Sequence, residues 1–161
     1  MPEFGARTNM QNEAESERSE KKFFTVESAN RMLPLVRSIA TDIVEKFREL
    51  NELRGRLEIL QGSRREGLSD AHREEVEEVE RDFERKKAEL YKLVEELRGL
   101  GVELKGPDGL VDFPAIMDDR EVSLCWKVGE PEVMFWHETD AGFAGRQHLT
   151  AEMSMGREEE A

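Results

Sequence analysis

The chain has 161 residues, of which 38% are charged and 7% aromatic, and its formal net charge is −13 at pH 7. This length suits one domain with a modest core, and the acidic balance argues against a general nucleic-acid binder, which needs a clustered basic surface. No apolar run approaches the roughly 20 residues of a membrane-spanning helix, and a lone cysteine allows no internal disulfide, so we expect a cytoplasmic protein.

Both ends of the chain are polar and are expected to lie outside the folded domain. Residues 1–22 show no apolar periodicity and are predicted to form a flexible segment, and their opening letters MPEFGAR resemble residues left by cloning. Residues 150–161 end in three glutamates and an alanine and are predicted to form an acidic tail. The folded domain is therefore expected to span residues 23–149.

The first predicted helix begins near Thr25, which can cap it, and Glu27 places a negative charge in its first turn. Pro34 removes one backbone hydrogen bond and is expected to bend the helix, and Gly62 is predicted to end it. Apolar residues recur every seven positions with a second set between them, which is the pattern of a heptad seam. The seam residues are Val36, Ile39, Ile43, Phe47, Leu50, Leu53, Leu57 and Leu60.

A second helix is predicted to begin after Ser69, which can cap it, and to end at Gly99. The intervening turn, GSRREGL, is short, so the helices are expected to form an antiparallel, coiled-coil-like hairpin over residues 25–100. The second helix repeats the heptad pattern. Its seam residues are Val76, Val79, Phe83, Leu90, Leu93, Leu97 and Leu100.

The first helix carries more apolar width than one partner helix can cover. A two-helix hairpin that buries a single stripe is marginal alone, so a further element must cover the excess. We favour a second copy of the chain, which gives a homodimer packed through the helices. The alternative cover is the C-terminal sheet, and an unidentified protein partner is also open. The extra apolar residues are Ala29, Met32, Leu33, Ala40, Val44 and Val94.

After Gly101 the apolar period changes to alternation, which predicts a small, mostly antiparallel sheet of three or four strands over residues 101–149. Val102–Lys105 and Leu110–Phe113 flank a Gly-Pro-Asp-Gly turn. The clearest hairpin joins Glu121–Lys127 to Glu132–His137 around Val-Gly-Glu-Pro. The predicted fold class is therefore α+β, with a long antiparallel helical hairpin followed by this sheet.

Pairing Val128 with Pro131 predicts the register of that hairpin, with Leu124 opposite Phe135 and Val122 opposite His137. Cys125 and His137 then lie on opposite faces of the sheet. This parity argues against a thiol–imidazole pair and favours a buried, unreactive cysteine.

The same register places Trp126 and Trp136 on opposite faces. One is expected in the core, and the other either packs on the helices or forms an interaction surface for a partner.

Several blocks of sequence carry a family resemblance: FTVESANRMLP, GVELK, GLVDFPA, EVSLCWKVGEP and FWHETDAGFAGR. From Phe24 to Leu149, including the paired charged helices, the chain resembles an uncharacterised bacterial family, domain of unknown function 2203. The resemblance implies a small soluble bacterial protein and carries no agreed activity and no catalytic residues. In that family a proline commonly stands at the position of His148, so a role for His148 would be particular to this chain.

A group of potential metal ligands follows the last predicted strand: His137, Glu138, Asp140 and His148. Imidazole and carboxylate groups suit Zn²⁺ or Fe²⁺. Adjacent strand residues point to opposite faces, so His137 and Glu138 can share a metal only if the strand ends between them. The alternative is that His137 is a packed histidine at the end of a strand.

Gly142, Gly145 and Arg146 belong to a loop, GFAGR, whose backbone N–H groups and guanidinium could bind an anion. The loop lacks the lysine and hydroxyl residue of a phosphate-binding loop. Arg146 could instead pair with a local carboxylate, such as Asp112 or Asp140.

No motif specifies a reaction. The sequence therefore favours a non-enzymatic interaction or assembly module. A small Zn- or Fe-binding protein is the alternative, and an enzyme that acts on an anionic substrate at Arg146 is a third hypothesis.

Overall fold

The computed structural model describes residues 21–62, 69–151 and 153. Two long helices pack together and are followed by a five-stranded antiparallel sheet, so the α+β prediction is confirmed. The predicted flexible segment lies outside the described residues except for its last two positions. The predicted acidic tail also lies outside them at residue 152 and from residue 154 onward, as does most of the turn between the helices.

Helix α1 spans Val26–Gly62 and helix α2 spans Asp70–Gly99. At the start of α1, the Ser28 N–H donates to Thr25 Oγ1 at 3.0 Å and the Thr25 N–H donates to Ser28 Oγ at 2.9 Å. This reciprocal pair satisfies two backbone donors that a helix start otherwise leaves unpaired. Ser69 caps α2 by accepting from the His72 N–H. Both caps follow the prediction from sequence.

The first half of α1 is buried more widely than a two-helix seam requires. Ala29, Leu33 and Ala40, which widen its apolar face, are buried in the same core cluster as Phe113 and Leu124 of the sheet. The sheet therefore covers apolar width that had indicated a second copy of the chain. Homodimerisation itself stays a prediction.

The sheet has five strands in sequential order, all antiparallel. The expected strand Val102–Lys105 is present as the shorter β1 (Glu103–Leu104), and the strand beyond the three or four expected is β5 (Gln147–His148), which has only two residues. Strands this short carry no readable alternation of apolar and polar residues. The strands are β1 (Glu103–Leu104), β2 (Leu110–Met117), β3 (Arg120–Lys127), β4 (Phe135–Glu138) and β5 (Gln147–His148).

The predicted register between β3 and β4 is wrong by one residue. Leu124 lies opposite Trp136 instead of Phe135, and Ser123 lies opposite His137. A shift of one residue moves every side chain of a strand to the other face of the sheet. Cys125 and His137 therefore share one face.

A longer connection than predicted causes this shift. Residues 128–134 join β3 to β4, and Glu130 holds the connection by accepting the Lys127 N–H at 2.7 Å and the Trp126 indole N–H at 3.0 Å. The Val133 N–H donates to the side chain of Asn30 in α1 at 2.7 Å instead of to β3. Strand pairing consequently begins only at Phe135.

The two faces of the sheet differ in chemistry. One face packs into the core with the helices, and both tryptophans lie on it, so the prediction that they occupy opposite faces is wrong. Trp126 and Trp136 are both buried, which leaves neither exposed as a surface for a partner. The opposite face carries polar and ionisable side chains. Its members include Asp112, Ser123, Cys125, Phe135 and His137.

Candidate functional site

Three side chains able to bind a metal meet on the sheet face that points away from the helices. Asp112 of β2 lies opposite Cys125 of β3, and His137 of β4 lies opposite Ser123, two residues along β3 from Cys125 and on the same face. Their ligand atoms, a carboxylate oxygen, a thiol sulfur and an imidazole nitrogen, all lie within 4.8 Å of one another. Three adjacent strands thus build one compact cluster, which we call the Asp–Cys–His cluster.

The Asp–Cys–His cluster is closed to solvent. Asp112 is 4% exposed, His137 is 2% exposed and Cys125 is fully buried. A carboxylate this deeply buried requires a hydrogen-bonded partner, because desolvation penalises an isolated charge. That partner is His137, whose Nε2 lies 3.1 Å from Asp112 Oδ1.

The hydrogen bonds of His137 define its protonation at Nδ1. Nδ1 lies 2.6 Å from the backbone carbonyl oxygen of Glu138, and a carbonyl only accepts, so Nδ1 carries a hydrogen. A proton also lies between Nε2 and the Asp112 carboxyl, carried by one group or the other. Either arrangement makes the His137–Asp112 pair neutral overall, which suits its buried position.

The environment of Cys125 keeps its thiol protonated. Burial, with a further contribution from Asp112, raises the pKa of this thiol to about 12. The thiolate is the reactive form of cysteine, so a thiol with this pKa is a poor nucleophile at neutral pH. Neither ring nitrogen of His137 is free to activate it as a base, because Nδ1 contacts the Glu138 carbonyl oxygen and Nε2 contacts Asp112.

The structure separates the four ligands predicted from sequence. Only His137 lies in the cluster. Glu138 points to the other face and forms an ion pair with Arg120 at 2.6 Å. Asp140 is exposed in the turn after β4, and the ring of His148 packs on Phe135 with centroids 4.4 Å apart.

Two members of the cluster, Asp112 and Cys125, were not predicted as ligands. The register error placed Cys125 on the wrong face, and Asp112 was considered only as a partner for Arg146. One signal could have found Asp112: it is a charged residue between Val111 and Phe113, in a strand whose other residues are apolar. A charge in such a strand requires a buried partner.

Arg146 has a carboxylate partner other than the two expected. Its Nη2 donates to both carboxylate oxygens of Glu130, at 2.6 and 2.8 Å. The other residues of the predicted anion-binding loop belong to a short 3-10 helix, Phe143–Gly145, which Gly142 precedes and Gly145 ends, and the Gly145 N–H donates to Gly142 O. The charge that was expected to attract an anion is therefore already neutralised within the chain.

This molecule is an α+β protein with a candidate metal centre. Its helical hairpin is joined to a small antiparallel sheet, and the buried Asp–Cys–His cluster lies on the outer face of that sheet. A family model described as an uncharacterized conserved protein, DUF2203, matches residues 22–149, and the chain belongs to that family. No curated protein and no solved structure matches the chain significantly. Within the described parts of the chain, neither helix has the length and apolar character needed to cross a membrane.

Proposed function

We propose that this protein binds a divalent transition metal, with Zn²⁺ as the best chemical match, through Asp112, Cys125 and His137. The proposal rests on one observation: a carboxylate, a thiol and an imidazole from three strands have their ligand atoms within 4.8 Å of one another. Sulfur and nitrogen ligands favour Zn²⁺ and related ions, whereas Mg²⁺ and Ca²⁺ prefer oxygen alone. Fe²⁺ is the competing ion.

The orientation of His137 supports this role. Metal-bound histidines usually donate their second ring N–H to a carbonyl or carboxylate, which orients the ring. His137 already makes this bond from Nδ1 to the Glu138 carbonyl oxygen, so Nε2 faces Asp112. The imidazole is therefore oriented with Nε2 toward Asp112, where Nε2 can bind a metal once the proton shared with Asp112 is displaced.

Charge balance also supports the proposal. Without metal, the protonated thiol and the neutral His137–Asp112 pair give the cluster no net charge. Binding of Zn²⁺ would displace one proton from Cys125 and one from the pair, and the two positive charges would offset the thiolate and the carboxylate. The cluster is neutral in both states, so binding buries no net charge.

Calorimetric titration with Zn²⁺, together with elemental analysis of protein purified without a His-tag, tests the proposal. We expect one equivalent of metal in the wild type. Loss of a residue that only hydrogen-bonds to a metal ligand typically weakens metal affinity by roughly 10- to 100-fold. Cys125→Ser and His137→Gln remove ligands themselves and should weaken Zn²⁺ binding by more than this. Cobalt substitution should add a thiolate-to-metal absorption band that Cys125→Ser abolishes.

Glu138→Gln and His148→Asn are the matched controls, because these residues belong to the ligand set predicted from sequence but lie outside the cluster. Both should retain full binding. Substoichiometric uptake of Zn²⁺ and of Fe²⁺ by the folded wild type would refute metal binding. If the two control variants lose Zn²⁺ binding and Cys125→Ser retains it, the metal is bound by residues at and beyond the end of β4 and not by the Asp–Cys–His cluster.

A second candidate function, assembly through the helices, is favoured by the length of the hairpin. Helix α1 has 37 residues and is about 55 Å long at 1.5 Å per residue, whereas an eight-residue strand spans about 27 Å. The hairpin therefore extends beyond the sheet, and its distal seam residues Leu53, Leu57 and Val76 remain partly exposed. A second copy of the chain or a protein partner could cover them, and the mass of the particle in solution tests the first of these.

A further inference from the structure

The end of the loop between β4 and β5 lies near the Asp–Cys–His cluster. Arg146, at its end, places its guanidinium 3.9 Å from the ring centroid of Phe135. Phe135 lies directly opposite Cys125 in the β3–β4 pairing, so Arg146 is one side chain away from the thiol. The Arg146 and Glu130 charges also act on the pKa of Cys125 in opposite directions, which is consistent with this proximity.

Arg146 is held between two aromatic rings and one carboxylate. Phe135 lies on one side of the guanidinium, and Phe143 lies with its centroid 4.9 Å away. Cation–aromatic contacts of this kind are attractive and strengthen with desolvation. Both oxygens of Glu130 accept from Arg146 Nη2, and the Arg146 side chain is only 11% exposed.

The two partners of this ion pair lie in different connections of the sheet. Glu130 is fixed to the sheet, because its side chain accepts the Lys127 N–H and its carbonyl accepts the Trp126 indole N–H. Arg146 follows a stretch, residues 139–144, in which every residue is exposed, and it directly precedes β5, whose pairing with β4 fixes the end of the loop. The backbone bonds that the structure records within the loop are local, such as Arg146 N–H to Phe143 O. The ion pair therefore joins an exposed loop to the sheet.

The docked loop also carries an unmet hydrogen-bonding requirement. Arg146 Nε is buried and has no partner among the described residues. A buried donor without an acceptor raises the free energy of the state that buries it. Opening of the loop would expose this donor to water, so the docked arrangement is stabilised less than its ion pair alone implies.

We propose that the Arg146–Glu130 ion pair is the latch of a gate formed by residues 139–146, and that the gate controls access to the Asp–Cys–His cluster. The proposal rests on the proposed metal-binding function for its purpose, since a hydrated ion cannot reach three buried ligands without local opening. The latch residues then determine how quickly the cluster loads and releases metal, and the three cluster residues determine how tightly it binds.

Thiol labelling tests the gate without metal. The rate at which an aromatic disulfide reagent modifies Cys125 is measured on folded, metal-free protein for the wild type, Glu130→Gln and Arg146→Gln. Both variants should label about 10- to 100-fold faster, the factor expected when a charge-assisted hydrogen bond that holds the closed state is lost. Urea unfolding of each variant provides the correction for any change in global stability.

Arg120→Gln is the matched control. It removes the Arg120–Glu138 ion pair, which has a similar distance but lies on the opposite face of β4. Its labelling rate should equal that of the wild type. Equal rates for the latch variants and the wild type, or equal acceleration in Arg120→Gln, would overturn the gate.

Stopped-flow mixing with Zn²⁺ separates the gate from the metal site. If both proposals hold, the association and dissociation rates rise together in the latch variants while Kd changes little. Faster labelling with no Zn²⁺ binding in any variant would support the gate and refute the metal site. Zn²⁺ binding with unchanged association and labelling rates would support the metal site and refute the gate.

Discussion

Cys125 illustrates how the surroundings of a single residue determine its chemistry. The prediction that it is buried is confirmed, but the reason given from sequence, a face without partners, does not hold. It shares its face with Asp112 and His137, and burial beside that carboxylate keeps the thiol protonated. The same burial that makes a thiol a poor nucleophile leaves it suitable for a metal, which displaces the proton on binding.

The raised pKa of Cys125 makes a prediction about alkaline stability. The folded thiol keeps its proton up to about pH 12, whereas a thiol with the ordinary pKa of 9.0 loses it earlier when the chain unfolds. The unfolded state therefore releases a proton that the folded state retains, and stability falls as pH rises above 9.0. The loss should approach at most about 1.4 kcal/mol per pH unit relative to Cys125→Ala.

Urea unfolding of metal-free protein in chelator, at several pH values up to about pH 11, measures this difference while other titrating groups cancel between wild type and variant. The stability curves of the two proteins should diverge with rising pH. Parallel curves would mean that the folded thiol ionises normally.

At the scale of elements, the helical hairpin depends on its heptad seam. Leu90 is predicted from sequence to lie in that seam and is 9% exposed, whereas its neighbour Tyr91 is 66% exposed. Leu90→Asp would bury an unpaired carboxylate and should lower the free energy of unfolding by several kcal/mol, roughly 3 or more. Urea unfolding measures the loss.

Tyr91→Asp is the control on the adjacent, exposed position, and it should change the free energy of unfolding by about 0.5 kcal/mol or less. Equal destabilisation by the two substitutions would show that helix propensity, and not burial in the seam, accounts for the effect.

The helices could be predicted closely because the signals that define them are local. The caps at Thr25 and Ser69 and the end at Gly62 lie within a turn of the residues they act on. Strand β4 is different, because Met134, Phe135 and Trp136 are consecutive apolar residues and alternation cannot assign them to faces.

A distant contact decides the register of β4. The Val133 N–H bonds to Asn30, 103 positions earlier in the chain, and a local pattern carries no information about such a bond. The error in the predicted register also affected the prediction of the candidate site. His137 could be predicted from its residue type alone, whereas the convergence of Asp112 and Cys125 on it depends on the correct register.

At the scale of the whole molecule, the two halves of the hairpin have different surroundings. The half near the start of α1 is covered by the sheet, and among the described residues the distal half packs mainly against the partner helix. The apolar width that motivated a homodimer is therefore largely explained within one chain. The partly exposed distal seam leaves self-association as a prediction with a defined location.

We expect sedimentation velocity to give a particle of twice the 18.6 kDa chain mass if the distal seam pairs between copies. Leu57→Asp should then shift the protein toward the monomer, because an interface core does not tolerate an unpaired charge. The same change at an exposed position in the other half of the helix, Leu35→Asp, should leave the mass unchanged. A monomer at high micromolar concentration in the wild type would contradict the dimer prediction.

The shortness of the outermost strands has a consequence for aggregation. Sheet edges with long rows of unpaired backbone groups recruit further chains, and natural proteins commonly blunt them. Here the two edge strands, β1 and β5, have two residues each. The part of β2 that extends beyond its pairing with β1 contains Pro114, which has no backbone N–H. The carbonyl oxygen of Pro114 already accepts the Phe24 N–H at 2.7 Å. The sheet therefore offers a poor template for edge-to-edge growth, and the protein should resist fibril formation even when concentrated enough for its helices to associate.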